Sequence, residues 1–310
     1  MRNIKIKFIM LVKCLQCTLF DWKQLIKGQS DKYRLLQQAH RLEKGLTITK
    51  PRKLWGWEKA EEIINIINLN HNSFATDTAF SVLSSFLDAK KNSSFDEDRI
   101  QYDEFIKRYP YNYEINSGTG GTKRFSMILF SQHETELIEN FIKSRHSIRN
   151  FNGIPVSKEL LYKAINLALN CPTACNRQPF KVYVVTKEAK KSIVGESDYN
   201  AFYWLYITGD ISAYNINEFN DWIVSATIFA GYLSLTLHLY NIGSCIMRKD
   251  LVIQTNYNKS VKELCSIPKN EKLILELAVG NYNSPFIAPI SNKQNAENLV
   301  KIISTHNNGI

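Results

Sequence analysis

The sequence predicts an α+β protein with a mixed, mostly antiparallel sheet surrounded by helices and preceded by an all-helical N-terminal region. Three observations lead there. Up to about residue 110, apolar residues recur at helical spacing between polar connectors. Beyond residue 180, KVYVVT (181–186), FYWLYIT (202–208) and KLILELAVG (272–280) have the apolar, β-branched character of core strands. A long stretch at 221–240 is hydrophobic nearly all round and is expected to lie buried at the heart of the domain. Helices alternating with few strands make a layered α+β domain.

At the start, MRNIKIKFIMLVKCLQCTLF joins a basic end to an apolar stretch from Phe8 to Phe20, interrupted by Lys13. At about 13 residues the stretch is shorter than the ~20 that span a bilayer, and no small-x-small cleavage site follows it. Two readings stay open: a helix lying on a membrane surface, or an amphipathic helix packed on the rest of the protein. DKYRLLQQAHRLEK (31–44) reads as a helix through Tyr33, Leu36 and Ala39, with Gly45 as its stop signal. Residues 57–69 repeat the pattern through Ala60, Ile63, Ile64 and Ile67, and 77–90 and 97–108 predict two more helices joined by polar connectors. NSGTGGT (116–122) predicts a flexible boundary. No strand precedes it and no Lys-Ser/Thr follows, so it meets neither phosphate-loop nor dinucleotide patterns. The expected organisation is a helical, basic region over 1–120, a linker over 121–133 and a second domain over 134–305.

In that domain, helix 134–144 leads into SRHSIRNF. Ser157 then caps a helix with an apolar face of Leu160, Leu161, Ala164, Ile165, Ala168 and Leu169, which Pro172 is expected to end. Hydrophobic and aromatic contents of 44% and 12% over 310 residues supply a full core and exclude a disordered chain. The net charge of +10 is concentrated: residues 1–60 hold 14 Lys and Arg against 4 Asp and Glu, and the remainder is neutral. Such a basic segment suits an anionic membrane surface, nucleic acid, an acidic partner or simply a solvated lysine face. No aromatic–basic interleaving of a nucleic-acid module accompanies it, so nucleic acid is not expected as a partner. The six cysteines form no dense framework, which points to a reducing, cytoplasmic compartment. Cys14-Leu-Gln-Cys17 lacks a second pair and a nearby His, so no metal site is expected there.

Two stretches carry more chemistry than their positions require. Arg145 and Arg149 flank Ser147 at a helix end, offering the charge-assisted donors that suit a phosphate monoester. CPTACNRQPF (171–180) places the amides of Asn176 and Gln178 between Pro172 and Pro179; side-by-side donors and acceptors read the edge of a heteroaromatic ring, and the prolines stiffen the loop. A surface charge cluster and a polar turn are the plain alternatives for the two stretches taken singly.

In combination, RHSIRNF, an amphipathic helix, and then CPTACNRQPFKVYVV closely resemble the FMN-dependent nitroreductase family. The resemblance continues through YITGDIS, the helix to NIGSC, and ELAVGNYNSP, over about residues 132–305. AHRLEKGL (39–46) is similar to a longer subgroup with a helical region before the flavin domain, associated with surface-polysaccharide biosynthesis. The resemblance implies that Arg145, Ser147 and Arg149 bind the phosphate and the pyrimidine side of FMN, with His146 adding backbone or ring contacts and Lys293 assisting at the phosphate. Pro172, Thr173, Ala174, Asn176 and Gln178 would meet the flavin from the other subunit of a homodimer. Gly243, Ser244 and Cys245 match a Gly-x-Cys turn near the cofactor. The implied activity is ping-pong hydride transfer from NAD(P)H through FMN to a small-molecule acceptor, with no protein nucleophile. Cys171 and Cys175 fall where the family packs small residues, so no catalysis is expected of them. On the substrate side the chain departs from the pattern, with Trp222-Ile223-Val224-Ser225-Ala226 where Ile-Asp-x-Gly is usual. That leaves a second reading open: a degenerate protein of this fold acting as a flavin-binding or non-catalytic partner, with peripheral membrane contact through residues 1–30.

Overall fold

The computed structural model describes residues 11–12, 15, 18–67, 73–110, 119–193, 199–247 and 256–303. The pair Cys14 and Cys17, the first ten residues, 68–69 of the second expected helix, and 116–118 of the glycine-rich run lie outside them.

Among the described residues of the first part, the regular elements are helices joined by turns. Four helices, α1 (Asp31–Leu46), α2 (Trp57–Ile67), α3 (Ser73–Lys91) and α4 (Asp96–Arg108), follow the apolar periodicity, and α1 packs on both α2 and α3. Gly45 does not stop α1, which runs on to Leu46 and closes on Thr47, whose hydroxyl donates to the Lys44 carbonyl at 2.8 Å. Its lack of a side chain admits the Trp55 indole, which would stand 2.1 Å from a Cβ there. Gly120 and Gly121 are likewise packing positions. A Cβ on Gly120 would meet Val82 and the Thr78 carbonyl, and the Gly121 amide donates to Glu43 at 3.1 Å. Glu43 belongs to the AHRLEKGL segment, so that segment clasps the chain as it leaves the helical region.

One buried ion pair organises this region. The Lys90 ammonium donates to Asp98 at 2.9 Å, both side chains being about 4% exposed or less, and Asp98 also accepts from the Leu54 amide and the Ser93 hydroxyl. Around it stand Trp55, Trp57, Phe86 and Phe105, with Trp55 and Trp57 edge-on to Phe86.

The second part is a four-stranded sheet of β1 (Phe180–Thr186), β2 (Tyr203–Asp210), β3 (Gly243–Met247) and β4 (Glu271–Gly280), in the order β1-β2-β4-β3. Every pairing between named strands is antiparallel. Among the described residues the parallel component is one bridge, Ser147 to Ser244, which lays residues 147–148 beside β3. Gly243-Ser244-Cys245 was expected as a turn and is instead the start of β3. Five residues beginning Gly-Ser-Cys carry too little apolar alternation to announce a strand, and pairing with β4 decides it.

Helices α5 (Gln132–Ser144), α6 (Lys158–Ala168), α7 (Asp221–Leu239) and α8 (Asn256–Leu264) surround the sheet. Ser131 and Glu134 close a capping box on α5. Helix α6 ends at Ala168, four residues before Pro172, with Leu161, Ala164 and Ala168 buried while Leu160 and Leu169 face outward. Helix α7 packs on α6 and all four strands, yet it is not buried all round. Val224, Thr227, Gly231, Tyr232 and Leu239 form an open stripe at helical spacing. Its length and mean hydropathy of 1.4 would also suit a membrane span, but its other face, including Phe229, Ala230, Leu233 and Leu237, is core.

A continuous apolar cluster links α1–α4 to β2, β4 and α7. Asp98→Ala would strand the Lys90 ammonium inside the helical region. The expected loss is about 3–5 kcal/mol, the usual cost of breaking a buried pair from one side, read as a lowered midpoint in denaturant unfolding; an unchanged midpoint would mean that the pair is idle.

Candidate functional site

Two clusters carry the polar chemistry. The first forms where α5 gives way to an extended segment. Arg145 caps α5 in extended backbone, and the Ile148 amide donates to the Ser244 carbonyl at 3.0 Å. Side chains in extended backbone alternate, so Ile148 enters the core while Arg145, Ser147 and Arg149 share the opposite side. They line a cleft of about 590 Å³ together with Ile142, Lys143, His146 and the segment Pro289–Lys293. Lys293, far away in sequence, is thereby brought to the arginines, and no carboxylate is among the described residues that line the cleft.

Gly243 and Ser244 stand behind this wall. A Cβ on Gly243 would meet Tyr282 and Ile148, and Ser244 is buried with its hydroxyl 3.4 Å from that of Ser234 on α7. Their described role is to hold residues 147–148 in line. His238, at the end of α7, stacks on Phe141 and lies 2.8 Å from the Ser144 hydroxyl. Burial, and then the positive charge of Arg145, push its imidazole below the ordinary value. Nothing in its sequence context signals this position, because the neighbour lies 94 residues away.

The second cluster is the loop between α6 and β1. Thr173 Oγ1 accepts from the Gln178 amide at 3.2 Å, and Gln178 Nε2 donates to Asn176 Oδ1 at 3.2 Å, so the two amide side chains are locked together. Pro172 and Asn176 are exposed, while Thr173, Ala174 and Gln178 are half-buried. Cys175, Asn176 and Gln178 hold φ of 51°, 49° and 48°. Left-handed backbone without glycine costs about 1–3 kcal/mol per residue and persists only where the surroundings impose it.

Arg177 supplies that constraint, and sequence reasoning passed over it. The side chain points inward with no exposed surface. Nε donates to the Ala174 carbonyl (3.0 Å), Nη1 to the Ala213 carbonyl (2.7 Å), and Nη1 and Nη2 to Glu218 (3.0 and 2.5 Å). The guanidinium also lies over the Tyr214 ring at 4.4 Å. Burial acts to raise the Glu218 carboxyl, but the Arg177 hydrogen bonds and charge prevail and hold it below the usual range. Cys171 is buried, and burial pushes its thiol up, away from reactivity.

The cleft of the first cluster is lined by no residue of 172–178. A single chain therefore presents the cationic set and the amide set as separate surfaces.

Residues 142–218 match the family model described as Nitroreductase family. This span contains Arg145, Ser147, Arg149, the loop 172–178 and the Arg177–Glu218 pair, while Lys293, Gly243 and Ser244 lie beyond it. Comparison with curated proteins finds no match. Among solved structures, the chain is similar to a nitroreductase family protein from Clostridium difficile 630, at 21% identity and TM-score 0.45 over 53% of this chain and 96% of that one. An FMN-dependent nitroreductase from Clostridium difficile R20291 aligns at 23% identity and TM-score 0.40, over 51% and 92% of the two chains. A nitroreductase-like protein from Streptococcus mutans aligns at 19% identity and TM-score 0.46, over 55% and 99%.

Arg177→Ala would unpin the loop and leave Glu218, which is 22% exposed, without its partner. A loss of roughly 3 kcal/mol, the lower end for a buried pair, is expected, with faster amide exchange across 173–178. Arg177→Lys should recover only part, since an ammonium cannot reproduce the fork. Because the folded carboxyl of Glu218 is depressed, its contribution is present above the ordinary carboxylate range and fades as pH falls through the depressed value. Loop protection that survives Arg177→Ala would overturn this assignment.

Proposed function

We propose that this chain is an FMN-dependent oxidoreductase of nitroreductase type, working as a homodimer with the flavin between subunits. The observation that carries the reading is the cleft in which Arg145, Arg149, Ser147 and Lys293 converge, with no carboxylate among its described lining residues. A phosphate monoester is the anion that such a donor set suits. When bound, FMN would supply two-electron chemistry, accepting a hydride at N5 from NAD(P)H and passing it to a small-molecule acceptor in ping-pong fashion.

The protein's own residues have the supporting tasks. Arg145, Arg149 and Lys293 neutralise the phosphate, and Ser147 adds a hydroxyl. His146 borders the same cleft, in ring contact with Phe286. Asn176 and Gln178, held by Thr173 and by each other, present amides to the ring edge of the flavin bound at the partner's cleft; Pro172 and Ala174 shape that surface. Gly243 and Ser244 keep the cationic wall straight. Surfaces left uncovered by one chain support the dimer. Helix α5 has no buried residue, and Phe125, Met127, Leu129, Ile290 and Ile302 on the flanking segments are more than 80% exposed. Such apolar exposure fits an interface between copies.

Purified protein should be yellow and release FMN on denaturation. Arg145→Ala and Arg149→Ala should each weaken FMN binding roughly tenfold to a hundredfold, the worth of one charge-assisted bond. Retention of flavin at wild-type affinity in both variants would put the phosphate elsewhere, and a colourless protein that refuses added FMN would favour the degenerate, non-catalytic reading.

Mixing tests the interface. Arg145→Ala and Asn176→Ala proteins, each poor in flavin, should regain one sound site of two when co-refolded, because one chain keeps its loop and the other its arginines. No recovery would mean that both clusters serve the site of a single chain.

A further inference from the structure

The helix preceding α1 has a second surface that the flavin site does not use. Residues 18–26 are helical, as are the described positions 11, 12 and 15. One face is fastened to the body. Leu25 is buried, Phe20 packs on the core cluster, and Asp21 pairs with Lys272 at 2.6 Å while the Lys272 ammonium lies over the Phe20 ring. Gly28, in left-handed backbone at φ 79°, ends the helix. Gln29 and Ser30 then tie the chain to the Ala213 and Ser212 carbonyls, each at 2.9 Å.

The other face is apolar and open. Leu11, Leu15, Leu19, Trp22 and Ile26 are 56%, 54%, 62%, 49% and 70% exposed. At about 100° per residue Leu19, Trp22 and Ile26 fall within an arc of roughly 60°, a stripe about 10 Å long at 1.5 Å per residue, with the exposed Leu11 and Leu15 preceding them in the chain. Lys23 and Lys27, both exposed, border the stripe on the side away from Leu25. Asp21, the sole acidic residue of the first 30, is turned to the body and matched by Lys272. The stripe therefore carries no negative charge, and it lies in the 60-residue segment that holds the whole net charge of the chain.

We propose that this face seats the protein on an anionic lipid surface. Apolar residues with a tryptophan among them, flanked by lysines, have the composition of a helix lying in the headgroup region. The surrounding positive charge complements acidic phospholipids. The helix lies on the bilayer and does not cross it, because its opposite face is protein core held by the Asp21–Lys272 pair. The Asp21, Gln29 and Ser30 ties hold the flavin domain in a set orientation to the membrane. The proposal is independent of the flavin reading, since no residue of either cluster takes part.

The test is co-sedimentation of the full-length protein with vesicles of phosphatidylcholine alone or with phosphatidylserine added. Binding is expected only with phosphatidylserine, falling as salt is raised. The double variant Leu19→Glu/Trp22→Glu should lose about tenfold or more in affinity with its thermal unfolding and flavin content unchanged. Lys23→Gln/Lys27→Gln should bind several-fold more weakly with a shallower salt dependence. No sedimentation with anionic vesicles, or equal binding by the Leu19/Trp22 variant, overturns the proposal. A variant that changes the solution mass of the protein without changing vesicle binding assigns the stripe to a protein contact and overturns it equally.

Discussion

A guanidinium withdrawn from water is the constraint on which the rest of this structure turns. Arg177 has no exposed surface, and a charge so placed is tolerable only if its donors are satisfied. The acceptors that satisfy it come from three places: Ala174 in its own loop, Ala213 on the turn after β2, and Glu218 beyond that turn. Ala213 also receives Gln29 from the N-terminal segment. One carbonyl therefore joins the amide loop, the end of the sheet and the entry to α1. The left-handed backbone at 175, 176 and 178 becomes affordable because this anchor removes the alternatives.

The same junction connects the two halves of the chain. Tyr33 on α1 donates to Asp210 at the end of β2, and Asp210 also accepts from Ser212 and Asn270. The helical region thus braces the side of the sheet from which the amide loop projects. On the other side, β3 holds residues 147–148 by backbone bonds and so sets the spacing of the arginines. Cationic wall and amide loop are each rigid, for different reasons and from different neighbours. A single chain leaves open the apolar surface of α5, next to the cationic wall, and the outward stripe of α7.

Much of this was legible in the residues. The helices of the first part follow their apolar spacing, and the three β-branched runs all became strands within one to two residues. Arg145, Ser147 and Arg149 could be singled out because two guanidinium groups flank a hydroxyl at a helix end, a local concentration of donors that suits a phosphate. The failures share a cause. Gly45 read as a stop because glycine has that local use, whereas here it yields room to Trp55 arriving from elsewhere, as Gly120 and Gly121 do to Val82 and Ser85. The strand at 243–247 exists because β4 lies beside it. Helix α7 looked buried all round because composition reports how apolar a helix is, not how many neighbours it has.

The sequence by itself therefore determined most of the elements, the local members of the two polar clusters and the concentration of positive charge near the start, since these depend on residues close along the chain. Tertiary structure alone decided that Lys293 joins the arginines, that Arg177 meets Glu218, that His238 sits beside Ser144 and that Asp21 turns inward to Lys272. The reason is physical. Helical and strand periodicities are set by local backbone geometry, but a charge finds its partner wherever the packed topology brings one within 3 Å, and spacing along the chain carries no record of that distance.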